Sequence, residues 1–262
     1  MLQFGAQAAK APDFVPEVKT RAWLAESMAA VIAHLGPAAR RQQWITATPL
    51  KGAAPRDLDA LFDLICAAQE HVGQGDLEFT IAEPLPGKAP VPPGFEAIGD
   101  PTGHLMHTFA RGKELALLVM PQIFRAPTLL LGCVARELGR MGLWAQGAPS
   151  EALARVDAEA AAELAAISLG LGVWVANGAY MFENACCGGG CGIDLRGVRA
   201  GLSLPEASYA LALDAQRKGL SRRAAAKQLE ATQEAAFKKC WDACGADVPA
   251  LPPAREAPAL RA

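Results

Sequence analysis

At 262 residues and 52% hydrophobic content, the chain is long enough to bury a full core as one domain. A formal net charge of −2 removes any general pull toward nucleic acid or anionic membrane. Seven cysteines over this length do not make a small disulfide scaffold, and in a reducing compartment clustered cysteines point to metal more than to disulfides.

Residues 1–16 read as a loose arm. They lack the cationic start and apolar run of a secretory signal, so cytoplasmic residence is expected. Residues 21–35 form a first helix, in which Trp23, Leu24, Met28, Val31, Ile32 and Leu35 recur near a 3.6-residue period. Gly36-Pro37 ends it. Residues 43–48 are strand-like, and 56–72 form a second helix with Leu58, Leu61, Phe62, Leu64 and Ile65 on its apolar side. Residues 77–82 alternate as a half-buried strand. Six prolines and three glycines make 84–101 a loop. Two strands, 104–110 and 114–120, flank Arg111-Gly112-Lys113 as a hairpin.

From Pro127 the pattern is helical. Helices are expected over 127–144, over 150–182 with Ser150 as N-cap, over 203–218 and over 221–244. Ser203 with Glu206 makes a capping box. Residues 164–182 carry no charge and have the length of a membrane span, but they continue an amphipathic run and are expected to be a buried helix. A Cys/Gly loop occupies 184–201, and the Pro/Ala-rich tail is expected to be disordered. The order is α+β: a small N-terminal sheet with helices, then a helical core. It gives an arm (1–16), one domain (17–246, mixed to 120 and helical from 121) and a tail (247–262).

The segment Arg136-Glu137-Leu138-Gly139-Arg140 has the frame of a zinc-metallopeptidase helix, His-Glu-x-x-His, with arginine at both ligand positions. Histidines four apart hold zinc on one helical face, and the glutamate between them activates water. Arginine stays protonated and cannot ligate zinc. Glu159 lies nineteen positions after Arg140, with Glu163 four further on.

This spacing resembles the gluzincin pattern. The stretches Glu163 to Asn177 and Gly201 to Leu213 also look like segments of uncharacterised bacterial proteins that carry an intact His-Glu-x-x-His. The resemblance covers about residues 113–218. It implies a zincin-like helical core, with Glu137 at the general-base position, Glu159 at the third metal ligand and Glu163 at the orienting acid. With Arg136 and Arg140 in place, no catalytic metal is expected. Two Arg and two Glu on packed helices would neutralise one another as a salt-bridged cluster.

Cys187 and Cys191 form one CxxxC pair and Cys240 and Cys244 another, with Cys186 beside the first. Four thiolates suit structural zinc; disulfides or free thiols are the alternatives. Cys66 and Cys133 read as core residues. His104 and His107, three apart on an expected strand, would face opposite sides and make a poor ligand pair. Lys218, Arg222, Arg223 and Lys227 read as a solvated basic stripe. The expected function is that of an inactive metallopeptidase-like protein that binds a protein partner, with no nucleic acid and no membrane span. The alternatives are a hydrolase with a rearranged carboxylate site, Glu137, Glu159 and Glu163, on Mg²⁺ or Ca²⁺, or a zinc-stapled helical scaffold.

Overall fold

Two amphipathic helices open the chain. In a computed structural model describing residues 14–40, 44, 54–84, 91, 93–183 and 200–254, helix α1 spans Val18–Leu35 and α2 spans Leu58–Val72. Leu24, Met28, Val31, Ile32 and Leu35 of α1 are buried, as their spacing demands. Asp57 caps α2 by accepting the Ala60 N–H at 2.9 Å. Most of the strand-like stretch 43–48 lies outside the described residues.

The sheet is small and mixed. Strands β1 (Phe79–Ala82), β2 (Glu96–Ala97), β3 (Met106–Arg111) and β4 (Glu114–Val119) lie in the order β1-β4-β3-β2. The β3–β4 hairpin turns at Gly112, as expected, and β1 joins β4 in parallel. The proline-rich segment is not wholly loop: Glu96 and Ala97 pair antiparallel with β3 and form the sheet's edge. Strand β3 begins at Met106, so His104 stands before it, in a turn where its N–H donates to the Pro101 carbonyl.

Helix α3 spans Pro127–Ala145, α4 Glu151–Ala154, α5 Ala158–Ala166 and α6 Gly172–Glu183. The continuous helix expected over 150–182 is therefore broken twice. Asp157 starts α5 afresh by accepting from the N–H groups of Glu159 and Ala160. A π-type turn at Ile167–Leu171 then separates α5 from α6, with Gly170 at φ 100°, a conformation that only glycine adopts cheaply. Within Ala158–Ala179, 94% of the most apolar window is buried inside the fold. Helix α7 spans Leu204–Arg217 and carries the capping box of Ser203 and Glu206. The expected last helix is two, α8 (Arg222–Ala226) and α9 (Ala231–Cys244). Beyond it Leu251 is buried, and Arg217 bonds the Pro252 carbonyl.

Helix α3 is the centre of the helical half and packs chiefly on α5 and α6. Its glycines set the distance. A methyl group at Gly139 would lie 2.0 Å from the carbonyl oxygen of Ala162 on α5, and one at Gly132 would lie 3.1 Å from the Cα of Gly178 on α6. Such close backbones bring the α3 arginines into reach of the α5 carboxylates.

Lys218 departs from the expected solvated stripe. It is buried, pairs with Asp214 at 2.8 Å and donates to the Ser168 carbonyl, while Arg217 takes the other side of Asp214. An alkyl stem of this length follows the helix surface inward where a carboxylate waits four residues back.

Candidate functional site

The side chains that fit the peptidase frame meet in one place. Arg136, Glu137 and Arg140 face inward from α3, and Glu159 and Glu163 face them from α5; all five are buried. Arg140 Nη2 donates to Glu159 Oε2 at 2.7 Å, and its Nε donates to Glu137 Oε2 at 3.0 Å. Its Nη1 donates to the Ile98 carbonyl beside β2 at 2.9 Å. Arg136 Nε donates to Glu137 Oε1 at 3.2 Å and lies 3.7 Å from Glu159 Oε2. Arg136 Nη1 stands 4.0 Å from Glu163 Oε1.

Glu137 is fully engaged. Besides both arginines, Thr108 on β3 donates its backbone N–H at 3.0 Å and its hydroxyl at 2.9 Å to Oε2. The carboxylate thus ties α3 to the sheet. Burial pushes its pKa up, but Arg140 and Arg136 outweigh that and hold it below the usual carboxylate range. A general base needs a free lone pair and a pKa near the working pH. Glu137 has neither.

Glu163 accepts the N–H groups of Gly201 and Leu202 at 3.0 and 2.8 Å, so it holds the chain entering α7. Burial pushes its carboxyl up, against Arg136 and those two bonds. Gly201 admits no side chain: a methyl there would lie 2.4 Å from the Glu159 carbonyl carbon. Glu159 sits in the first turn of α5, where the helix dipole favours an anion. Burial raises its pKa; His104 and Arg140 reverse this and bring it well below the usual range.

No protein-family model, curated protein or solved structure matches this chain. The chemistry of these side chains is accordingly what bears on function.

Two further groups stand at the cluster that sequence reasoning set aside. His104, His107 and Glu159 each offer a ligand atom, and these atoms lie within 4.8 Å of one another, so the three can hold a metal ion. The objection that residues three apart on a strand face opposite sides fails because His104 lies in the turn, outside β3. Gly103, at φ 77°, shapes that turn. The two rings are nearly parallel, with centroids 5.3 Å apart. Burial pushes His107 down to about 4, so its imidazole is neutral at pH 7 and keeps a lone pair. The signal in the sequence was His-x-x-His behind a Pro-Thr-Gly turn.

Cys186, Cys187 and Cys191 lie outside the described residues. Cys240 and Cys244 are fully buried against α7, with the Cys244 thiol 3.2 Å from Gln216 Nε2 and pushed up to about 12 by burial. Cys133 is buried as expected, while Cys66 is partly exposed on α2.

Beside the cluster opens a cavity of about 430 Å³, mostly apolar, between the end of α1, α3, α4 and α5. Leu143, Trp144, Leu153 and Val156 line it, and Gly99 and Arg140 form the side next to Glu159.

Proposed function

We propose that this protein is a catalytically inactive, zincin-like pseudo-peptidase that acts in the cytoplasm by binding a protein partner. One observation carries the reading. The residue at the general-base position, Glu137, is consumed by four donors from Arg136, Arg140 and Thr108, and the two ligand positions hold guanidinium groups. The cluster does the mechanical task of a metal, joining α3 to α5 and to the sheet, without its chemistry. Ion pairs of this sort set geometry more than they add net stability. The apolar cavity beside Arg140 suits an apolar side chain of the partner, which is how a peptide cleft works without cleavage.

The rearranged hydrolase on Glu137, Glu159 and Glu163 is disfavoured, because the arginines occupy the space between the carboxylates that Mg²⁺ or Ca²⁺ would need. A structural zinc held by Cys187, Cys191, Cys240 and Cys244 remains part of the proposal and would pin the glycine-rich loop to α9.

Restoring the ligands tests the frame. Arg136→His with Arg140→His, introduced together into protein whose His104 and His107 are replaced by glutamine, should gain one bound zinc that the single substitutions do not gain. Metal content after dialysis reads the result. No gain in the double variant, with the fold retained by circular dichroism, would mean that α3 never had a zincin geometry.

A further inference from the structure

We propose that His104, His107 and Glu159 form a site for one divalent transition-metal ion, zinc first among them, whose two imidazoles come from the sheet instead of from α3. The inference goes beyond the binding-protein reading and stands whether or not α3 descends from a peptidase helix.

Unsatisfied atoms carry it. Among the described residues, Nδ1 and Nε2 of His104, Nδ1 and Nε2 of His107 and Oε1 of Glu159 are all buried with no hydrogen-bond partner. His104 Nε2 lies 3.2 Å from Glu159 Oε2 and helps hold that carboxyl below its usual range, while Glu159 Oε1 has no partner. Buried polar atoms are rarely left unpaired, and an ion taking one atom from each residue would satisfy three of these five. Arg136 and Arg140 donate elsewhere, to Glu137, to Glu159 Oε2, and to the Ile98 and Met106 carbonyls.

The dimensions suit an ion. Ligand bonds of about 2.0–2.2 Å in a tetrahedron put neighbouring donors about 3.3–3.6 Å apart, and the ligand atoms here lie within 4.8 Å of one another. Two imidazoles on such an ion have ring centres about 5 Å apart, and these stand 5.3 Å apart. The widest separation in the group, up to 4.8 Å, requires only a side-chain adjustment on binding.

The charges fit as well. Three acidic side chains, Glu137, Glu159 and Glu163, stand against the two guanidinium groups of Arg136 and Arg140, so the arginines do not outnumber the acids around the site. Arg140 takes Glu159 Oε2 and leaves Oε1 for the metal, a carboxylate oriented by a second-sphere hydrogen bond. Gly99, at φ 90°, lies over that oxygen. A methyl there would come within 3.0 Å of Arg140 Nη1 and 3.7 Å of Oε1, and Gly99 and Arg140 also line the 430 Å³ cavity. Two imidazoles select zinc and its neighbours over Mg²⁺ and Ca²⁺. Three protein ligands leave a coordination position open, but Glu137 is too fully bound to serve a water there. The ion therefore joins the turn before β3 to α5 and offers a coordination point to a bound ligand; it does not drive hydrolysis.

The test uses the unmodified full chain, stripped with chelator and titrated with Zn²⁺, while the imidazoles are followed by ¹H–¹⁵N correlation. There are four histidines, so four rings are seen, and His34→Gln and His71→Gln identify two of them. His104 and His107 should shift together and saturate at one equivalent, with His34 and His71 unmoved, and Mg²⁺ should leave all four unchanged. In folded His104→Gln or His107→Gln protein, zinc affinity read at the remaining ring should fall more than about 100-fold, at least the loss that second-sphere changes cause. Rings of His104 and His107 that stay unmoved in a large excess of Zn²⁺ would overturn the proposal, whatever the cysteines bind.

Discussion

Replacing Glu137 by alanine should destabilise the protein by about 3–5 kcal/mol, among the largest effects of any single change in it. The side chain is 1% exposed and lies between two arginines that are 1% and 3% exposed. Its removal takes one carboxylate partner from each of two buried guanidinium groups and leaves the Thr108 N–H and hydroxyl without their acceptor. Glu137→Gln keeps an acceptor oxygen and the volume but not the charge, so its cost should fall between alanine and wild type. A surface pair sets the scale. Arg155 and Glu151 are 75% and 84% exposed, and Glu151→Ala should cost under about 0.5 kcal/mol. Urea midpoints with unchanged slopes give the comparison. A loss below about 1 kcal/mol for Glu137→Ala would mean that the cluster is wet and loosely held.

Alanine at Gly139 should cost about 3 kcal/mol or more, although in an exposed helix the same change gains about 1 kcal/mol. The new methyl would meet the Ala162 carbonyl oxygen at 2.0 Å and the Ala166 nitrogen at 2.7 Å. Both are backbone atoms, so no rotamer relieves the contact, and α3 must move away from α5. That movement would also lengthen the Arg140–Glu159 pair, which depends on the same approach. A neutral or stabilising Gly139→Ala would contradict the close α3–α5 packing.

Much of this architecture was legible because it rests on periodicity. The apolar stripe of α1, the hairpin at Gly112 and the capping box of Ser203 and Glu206 each have a local cause, and each stands where its residues put it. The meeting of Arg136, Arg140, Glu159 and Glu163 was legible for the same reason, since spacings of four on two helices keep side chains on one face. What was illegible depended on context. The break before α5 lay in Asp157, a capping residue hidden in an alanine-rich run, and the break after it lay in Gly170. Lys218 reads as a surface cation until Asp214 and the Ser168 carbonyl are brought beside it by tertiary packing. His104 and His107 were judged by the alternation of a strand that starts only at Met106. A two-residue error in where β3 starts hid a group that could hold an ion.

The central claim is that the peptidase frame on α3 carries a charge-locked cluster in place of a catalytic metal. It is tested most directly by hydrolysis of a mixed peptide library by the full-length protein, with added zinc and with chelator. The account predicts no cleavage above background under either condition. Cleavage that requires zinc, is lost with chelator and is abolished by Glu137→Gln would contradict it, because Glu137 would then be a working base and not the bound centre of an ion-pair network.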